Sequence, residues 1–402
     1  MALKITGNGL KTSTMPSKII LIGPKLNKDL KTISGQSMMF QLLLDEVISK
    51  NINHCIVDIS EQSEKTRVRK SGELDFNRVL EYITVCFKFI KVVFFNPNSV
   101  IYLTVSQSTA GFLRDFYFIS IGKLFSCKIV AHQFGGNFGN FYYNKNIVLK
   151  NLIKLTYKKV NKIIVEGDFS KSNFSFLNSN LKNVISIPNG LPEKELGVAN
   201  FKNYRSGDKF QILYLSNLIL SKGYLDVLSA INILINKRNI IVHCSFVGKF
   251  INAVDDPIDI DLTKCKSYFF DYISSNNLEN FVTYSESKLG LEKQIEFQKA
   301  HVFVLPSYYL NEGQPVSVLE AISYGVVPLI TNYRLMPQMI NENSGMFVNK
   351  QDPECIADKI EFFVNNPDVY NSFSKSSISH FNNNFTSEIY LEKLLKILQN
   401  EF

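Results

Sequence analysis

The sequence has no uncharged apolar run of bilayer length. The nearest approach, FIKVVFFNPNSVIYLTV, is broken by Lys91 and by the Asn-Pro-Asn turn at 96–98. The leading MALKITGNGLKTSTMPSK lacks an apolar core of signal-peptide size, so export is not expected and a cytoplasmic location is. Its six cysteines (Cys55, Cys86, Cys127, Cys244, Cys265, Cys355) are scattered, with no C-x-x-C pair and no His/Cys cluster. That pattern argues against a disulfide framework and a zinc site and suits reduced thiols. A serine elbow, a Walker loop, a dinucleotide fingerprint and a short tandem repeat are also missing. Nucleic-acid signatures beyond basic charge are missing too, so no nucleic-acid partner is expected.

What is present is a long, ordinary globular composition. At 402 residues, with 45% hydrophobic and 20% charged, the chain exceeds one comfortable core, and two domains are expected. Charge is unevenly divided. Residues 1–200 hold 26 Lys+Arg against 14 Asp+Glu, and the remaining residues hold 18 against 22, within an overall +8. The basic first half is suited to an anionic partner, a phospholipid surface or a lipid diphosphate, or else is simply a solvated surface.

Short β-branched runs recur at intervals that leave room for helices. They fall at 18–23, 54–60, 99–105, 128–134, 162–167 and 184–188, then at 210–216, 240–248, 281–285, 301–307, 326–332 and 345–348. Near-continuous apolar runs fit parallel strands buried on both faces. A Pro-, Gly- and charge-rich stretch at 188–209 separates the two series. The expected fold is α/β, two doubly wound Rossmann-like domains facing across a cleft. The expected domains span 1–195 and 205–382, with a helix at 383–402 crossing back to the first.

Three stretches carry candidate chemistry. LSNLILSKGYLDVL places Lys222 and Gly223 between a strand and a helix, where free N–H groups and an ammonium can hold an anion. PSYYLNEGQPVSVLEAISYG places Glu312 at a loop rim and Glu320 about two helical turns onward, with Gly313 and Pro315 shaping the helix entry. Glu320 alone is open between a satisfied structural carboxylate and a grip on ribose hydroxyls. KIVAHQFGGNF sets His132 near a strand end before Gly135-Gly136, a place where a doubly wound sheet presents residues to a ligand. Arg114, after the strand at 99–105, contacts an anionic acceptor, pairs with Asp115 or lies on the surface.

Taken in order and spacing, SNLILSKG, FVGKF, VTYSESKLGLEK, IPNG and AHVFVLPSYYLNEGQPVSVLEAISYGVVPLIT resemble the family-4 retaining glycosyltransferases of the GT-B fold. YLTVSQSTAGFLRDF and HQFGGNF look like the subgroup that builds bacterial O-antigen and capsule. The resemblance implies a nucleotide-sugar donor and a glycan acceptor, carried on undecaprenyl diphosphate at the inner membrane face. It implies transfer with retention, without a metal or other cofactor. Asp259-Ile260-Asp261, which resembles the metal-binding Asp-x-Asp of another sugar-transfer fold, reads here as loop. Glu320 would hold the ribose, Lys222 and Gly223 the diphosphate, and Glu312 with the backbone of Gly313, Gln314, Pro315 and Val316 the transferred sugar. Tyr284 would bracket the base, mostly by its backbone, Gly35 would approach from the first domain, and His132 would line the reacting centre. In this reading His132, Glu312 and Lys222 carry catalysis, and Arg114 contacts the acceptor.

Two positions depart from the family pattern. Asn217 stands where relatives often carry an Arg, and Phe134 stands where many carry a His directly before the Gly pair. A nucleotide-sugar epimerase or hydrolase of the same fold, or a non-catalytic nucleotide-sugar-binding protein, are the competing readings.

Overall fold

The computed structural model describes residues 18–26, 35–60, 76–177, 181–191, 201–252 and 261–400. Most of the loop expected at 24–37, the middle of the stretch at 188–209 and residues 255–260 lie outside these. Asp261 is described, and its carboxylate caps the helix that follows by accepting from Thr263 N at 2.8 Å.

Among the described residues, twelve strands form two six-stranded sheets. The first contains β1 (Ile19–Gly23), β2 (His54–Asp58), β3 (Val100–Val105), β4 (Lys128–Gln133), β5 (Lys162–Val165) and β6 (Val184–Ser186). The second contains β7 (Phe210–Leu215), β8 (Val242–Val247), β9 (Val282–Ser285), β10 (Val302–Leu305), β11 (Val327–Thr331) and β12 (Met346–Val348). Every strand pair is parallel. The helices of the first half are α1 (Gly35–Ser49), α2 (Phe76–Phe94), α3 (Thr109–Leu124), α4 (Phe138–Tyr143) and α5 (Ile147–Lys158). Those of the second are α6 (Tyr224–Asn232), α7 (Leu262–Ser275), α8 (Gly290–Lys299), α9 (Val316–Ser323), α10 (Pro353–Asn365), α11 (Pro367–Asn384) and α12 (Ser387–Asn400).

Strand periodicity explains the core. Ile19 and Leu21, Val100 and Tyr102, and Val130 pack on the face of the first sheet covered by α1 and α12. Ile20 and Ile22, Ile101 and Leu103, and Ile129 and Ala131 pack on the opposite face with Phe89, Phe112 and Phe118. Because successive side chains point to opposite faces, a sheet covered on both sides must be apolar at every position. The chain returns to the first sheet through α12. Leu191 and Thr386 form a β-bridge, Ser387 N donates to Leu191 O at 2.7 Å, and Leu394 and Leu398 are fully buried.

The strand orders differ. The first sheet runs β2-β1-β3-β4-β5-β6, and the second runs β12-β11-β10-β7-β8-β9. In the second, the order reverses between β7 and β10, so the loops leaving these two neighbours diverge to opposite faces. They open a crevice at the carboxyl ends of the strands, where ligands of such sheets bind.

Candidate functional site

The loop after β7 carries Lys222 into that crevice. Its Nζ donates to Ser216 Oγ at 3.0 Å, lies 3.5 Å from Glu312 Oε1 and 5.4 Å from the Tyr309 ring centroid. The next residue shows why the loop takes this course. Gly223 has φ +76°, and a Cβ there would stand 2.6 Å from Pro306 Cγ, so only glycine lets the β7 loop lie on the β10 loop. A hydrogen bond from Tyr308 N to Ser221 O at 2.7 Å fastens the two loops together.

The loop after β10 carries Glu312, which is buried and accepts from Ser307 Oγ at 2.6 Å. Ser307 is itself tied to Thr331 at the end of β11. Pro315, whose sequence context suits the first helical position, takes instead the cap position just before α9. Val316 then opens the helix. Glu320, on α9, pairs with Lys293 of α8 at 2.6 Å. Its carboxylate is thus held at the crevice by a cation from a neighbouring helix. Asn217 is exposed just beyond β7. The Tyr284 ring packs among Phe250, Phe269 and Phe270 at 5.5–5.9 Å between centroids. Burial, with Glu286 nearby, pushes the Tyr284 hydroxyl pKa up to about 12.

The first domain closes over this loop. A Cβ on Gly35 would meet Val316 at 3.5 Å, which sets the start of α1 opposite the start of α9. A Cβ on Gly313 would stand 2.5 Å from Glu166 Oε2 and 2.8 Å from Gly135 Cα, and one on Gly136 would collide with the Glu312 carbonyl. The two backbones therefore touch without side chains between them. Arg334 Nη1 bonds to the Gly136 carbonyl, Asn189 N donates to Gln314 Oε1 at 2.6 Å, and Asp168 N donates to Gln338 Oε1 at 3.1 Å.

Glu166, just past β5, was not singled out in the sequence. Its Oε2 accepts from Gly135 N at 2.9 Å and from Gln314 N at 3.3 Å, while Oε1 accepts from Asn189 Nδ2 at 2.8 Å. It is buried, and no cation pairs with it among the described residues. Burial raises its pKa, and the negative charge of Glu312 adds to that, while the three hydrogen bonds act against it. A charged residue immediately after a buried apolar strand, in KIIVEG, is the signal that could have marked it.

Two expected site residues of the first domain lie elsewhere. His132 is fully buried on the α1/α12 face of the sheet, with Nδ1 2.8 Å from Tyr102 OH and its ring stacked on Phe134 at 4.1 Å. Phe134, the first residue past β4, is buried in the same core cluster as Val130 and Tyr102. Burial drives the His132 pKa down to about 3, so the imidazole is neutral. It is a core histidine in this conformation, not a cleft residue. Arg114 forks onto its neighbour Asp115 at 2.9 and 3.1 Å, with a side chain only 12% exposed. Asp115 is buried, which raises its pKa to about 6 despite that guanidinium. Arg114 thus balances a buried acid, one of the alternatives its sequence context left open.

Two facing parallel α/β domains with a polar crevice at the strand-order reversal define the GT-B class of fold. Residues 199–380 match the family Glycosyl transferases group 1. A curated relative, the capsular polysaccharide biosynthesis glycosyltransferase CapM of Staphylococcus aureus, is 25% identical over 248 residues, 60% of this chain. The match spans 57% of that relative's length. Among solved structures, Anabaena HepE in complex with UDP superposes with a TM-score of 0.66 at 11% identity, over 95% of this chain and 99% of that one. Sucrose-phosphate synthase from Thermosynechococcus elongatus gives 0.68 at 14%, over 95% and 98%. A Rickettsia africae glycosyltransferase gives 0.62 at 15%, over 95% and 98%. At these identities the structures establish the fold.

Proposed function

We propose that the chain is a retaining, metal-independent hexosyltransferase. It moves a sugar from a nucleotide-sugar to a lipid-linked glycan in bacterial surface polysaccharide synthesis. The observation that carries this reading is the meeting of Lys222, Glu312 and the start of α9 within one crevice, with Glu320 along the same helix. Lys222 and the free N–H groups at the α9 N-terminus offset diphosphate charge as the sugar leaves. Glu312 accepts from sugar hydroxyls, and Glu320 exchanges Lys293 for the two ribose hydroxyls. HepE, solved in complex with UDP, and CapM, named for capsule synthesis, support the donor class and the pathway.

The first domain supports a membrane-proximal acceptor. Ile83, Phe87, Ile90 and Phe94 are exposed along one stripe of α2, followed by exposed Phe95 and flanked by exposed Lys88 and Lys91. Apolar side chains rimmed by cations suit an anionic lipid surface. Among the described residues no helix is long and apolar enough to cross a membrane.

The test uses UDP-, GDP- and dTDP-sugars with an undecaprenyl-diphosphate-linked saccharide, with and without EDTA. Glycosyl transfer that survives EDTA and keeps the anomeric configuration is expected. Turnover without acceptor would identify an epimerase or hydrolase, and binding without turnover a non-catalytic protein. Glu320→Ala is expected to weaken nucleotide binding about tenfold, because the freed Lys293 offsets part of the lost hydrogen bonding.

A further inference from the structure

Beside the Glu312 loop a separate pocket of about 470 Å³ opens between the domains. That volume is in the range of small-ligand sites and holds one or two sugar rings. Its lining is unusual in chemistry: five carboxamide side chains, Gln107, Asn137, Asn140, Asn144 and Asn311, against a single charge, Lys145. Lys145 is laid over the Phe141 ring at 4.8 Å, which fixes the cation at one wall. The pocket has both domains as walls. Asn137 Nδ2 bonds to Asn311 Oδ1 across the cleft, and Gln107 Oε1 accepts from Asn137 N at 3.2 Å.

One of the lining residues also carries an unsatisfied group behind the pocket wall. Asn137 Oδ1 is buried and meets no hydrogen-bond partner among the described residues. Leaving a buried carbonyl oxygen unpaired is costly, and a turn of the Asn137 amide toward the pocket would let a ligand hydroxyl supply the missing donor. Each carboxamide offers one acceptor and two donors, so a ring of them matches groups that both donate and accept, which describes sugar hydroxyls. Carboxylates and phosphates only accept, and they are ordinarily met by paired cations, which this lining lacks.

The pocket lies next to the proposed transfer centre. Asn311 directly precedes Glu312, and Asn137 directly follows Gly136, whose backbone touches the Glu312 carbonyl. We propose that this pocket is the acceptor subsite and that it takes a neutral, hydroxyl-rich sugar unit in preference to a uronic acid. The proposal rests on the transferase reading, and the sugar it selects is the terminal unit of the growing glycan.

Saturation-transfer NMR on the full chain tests it, with UDP, GDP or dTDP present and glucose, galactose, N-acetylglucosamine or glucuronate as probe. At least one neutral sugar is expected to receive transfer and glucuronate none. In Asn140→Ala/Asn144→Ala, two exposed positions, the sugar signal should fall at least fivefold while nucleotide affinity stays within twofold. Glucuronate equal to the neutral sugars, no sugar signal while a nucleotide binds, or an unchanged signal in the double variant would each overturn the proposal. Sugar binding with no nucleotide binding at all would instead sink the transferase reading and leave a saccharide pocket.

Discussion

The two domains use their strand-end polar residues in opposite ways. In the second, Lys222 and Glu312 leave adjacent strands β7 and β10 and meet in the crevice at 3.5 Å. In the first, His132 lies near the end of β4 and Arg114 on α3, the helix that follows β3, yet one is packed against Tyr102 and Phe134 and the other is spent on buried Asp115. The difference is in what fixes direction. Around Lys222 and Glu312 the backbone itself is constrained, by Gly223 at φ +76°, by Pro306 and by the turn into α9. Around His132 only strand parity decides, and parity sends it to the face that α12 covers.

Three experiments bear on that contrast. The largest effect is expected for Lys222→Ala, which should lower the transfer rate constant about 10²–10³-fold, the size seen when a preorganised charge stabiliser is removed. Near-normal steady-state kinetics would erase the distinction between the domains.

The next concerns His132. With a folded pKa near 3 against an ordinary 6.5, the unfolded chain binds a proton in that interval that the folded chain does not. Stability therefore rises with pH across the interval and is lost on acidification. Taking pH 7 to pH 5 should cost about 2 kcal/mol through this residue. In urea unfolding, His132→Gln should flatten the pH dependence by that amount. An unchanged pH slope would mean that His132 is reached by solvent and belongs to the cleft.

The smallest effect is expected on the outer face of the first domain. Phe87→Ser/Phe94→Ser should weaken binding to phosphatidylglycerol-containing vesicles about tenfold, in line with the loss of two partly inserted aromatic side chains, while leaving the unfolding midpoint nearly unchanged. Equal flotation of variant and wild type would remove the membrane role from α2 and leave basic charge alone to explain it.

Much of the architecture was legible beforehand because a parallel strand buried on both faces has a simple signature. Twelve apolar runs correspond to the twelve strands, with ends shifted by one or two residues where pairing stops before the apolar run does. The second domain's crevice was legible because Lys222-Gly223 and Glu312-Gly313 combine charge with backbone freedom at strand ends. Glu166 was missed because its partners, Gly135, Asn189 and Gln314, come together only when the domains close. Arg114 was ambiguous because adjacency to Asp115 does not reveal that Asp115 is buried.

By itself, then, the sequence determined the succession of strands along the chain, the division into a basic half and a mildly acidic one, and the loops where glycine permits close approach. These follow from local periodicity and backbone sterics, which act within a few residues. Only the tertiary structure decided which polar side chains face the cleft, that Glu320 is held by Lys293, and that five carboxamides from separate segments enclose one pocket. Those outcomes depend on which faces are covered and which loops meet, and that is set by packing between segments far apart in the chain.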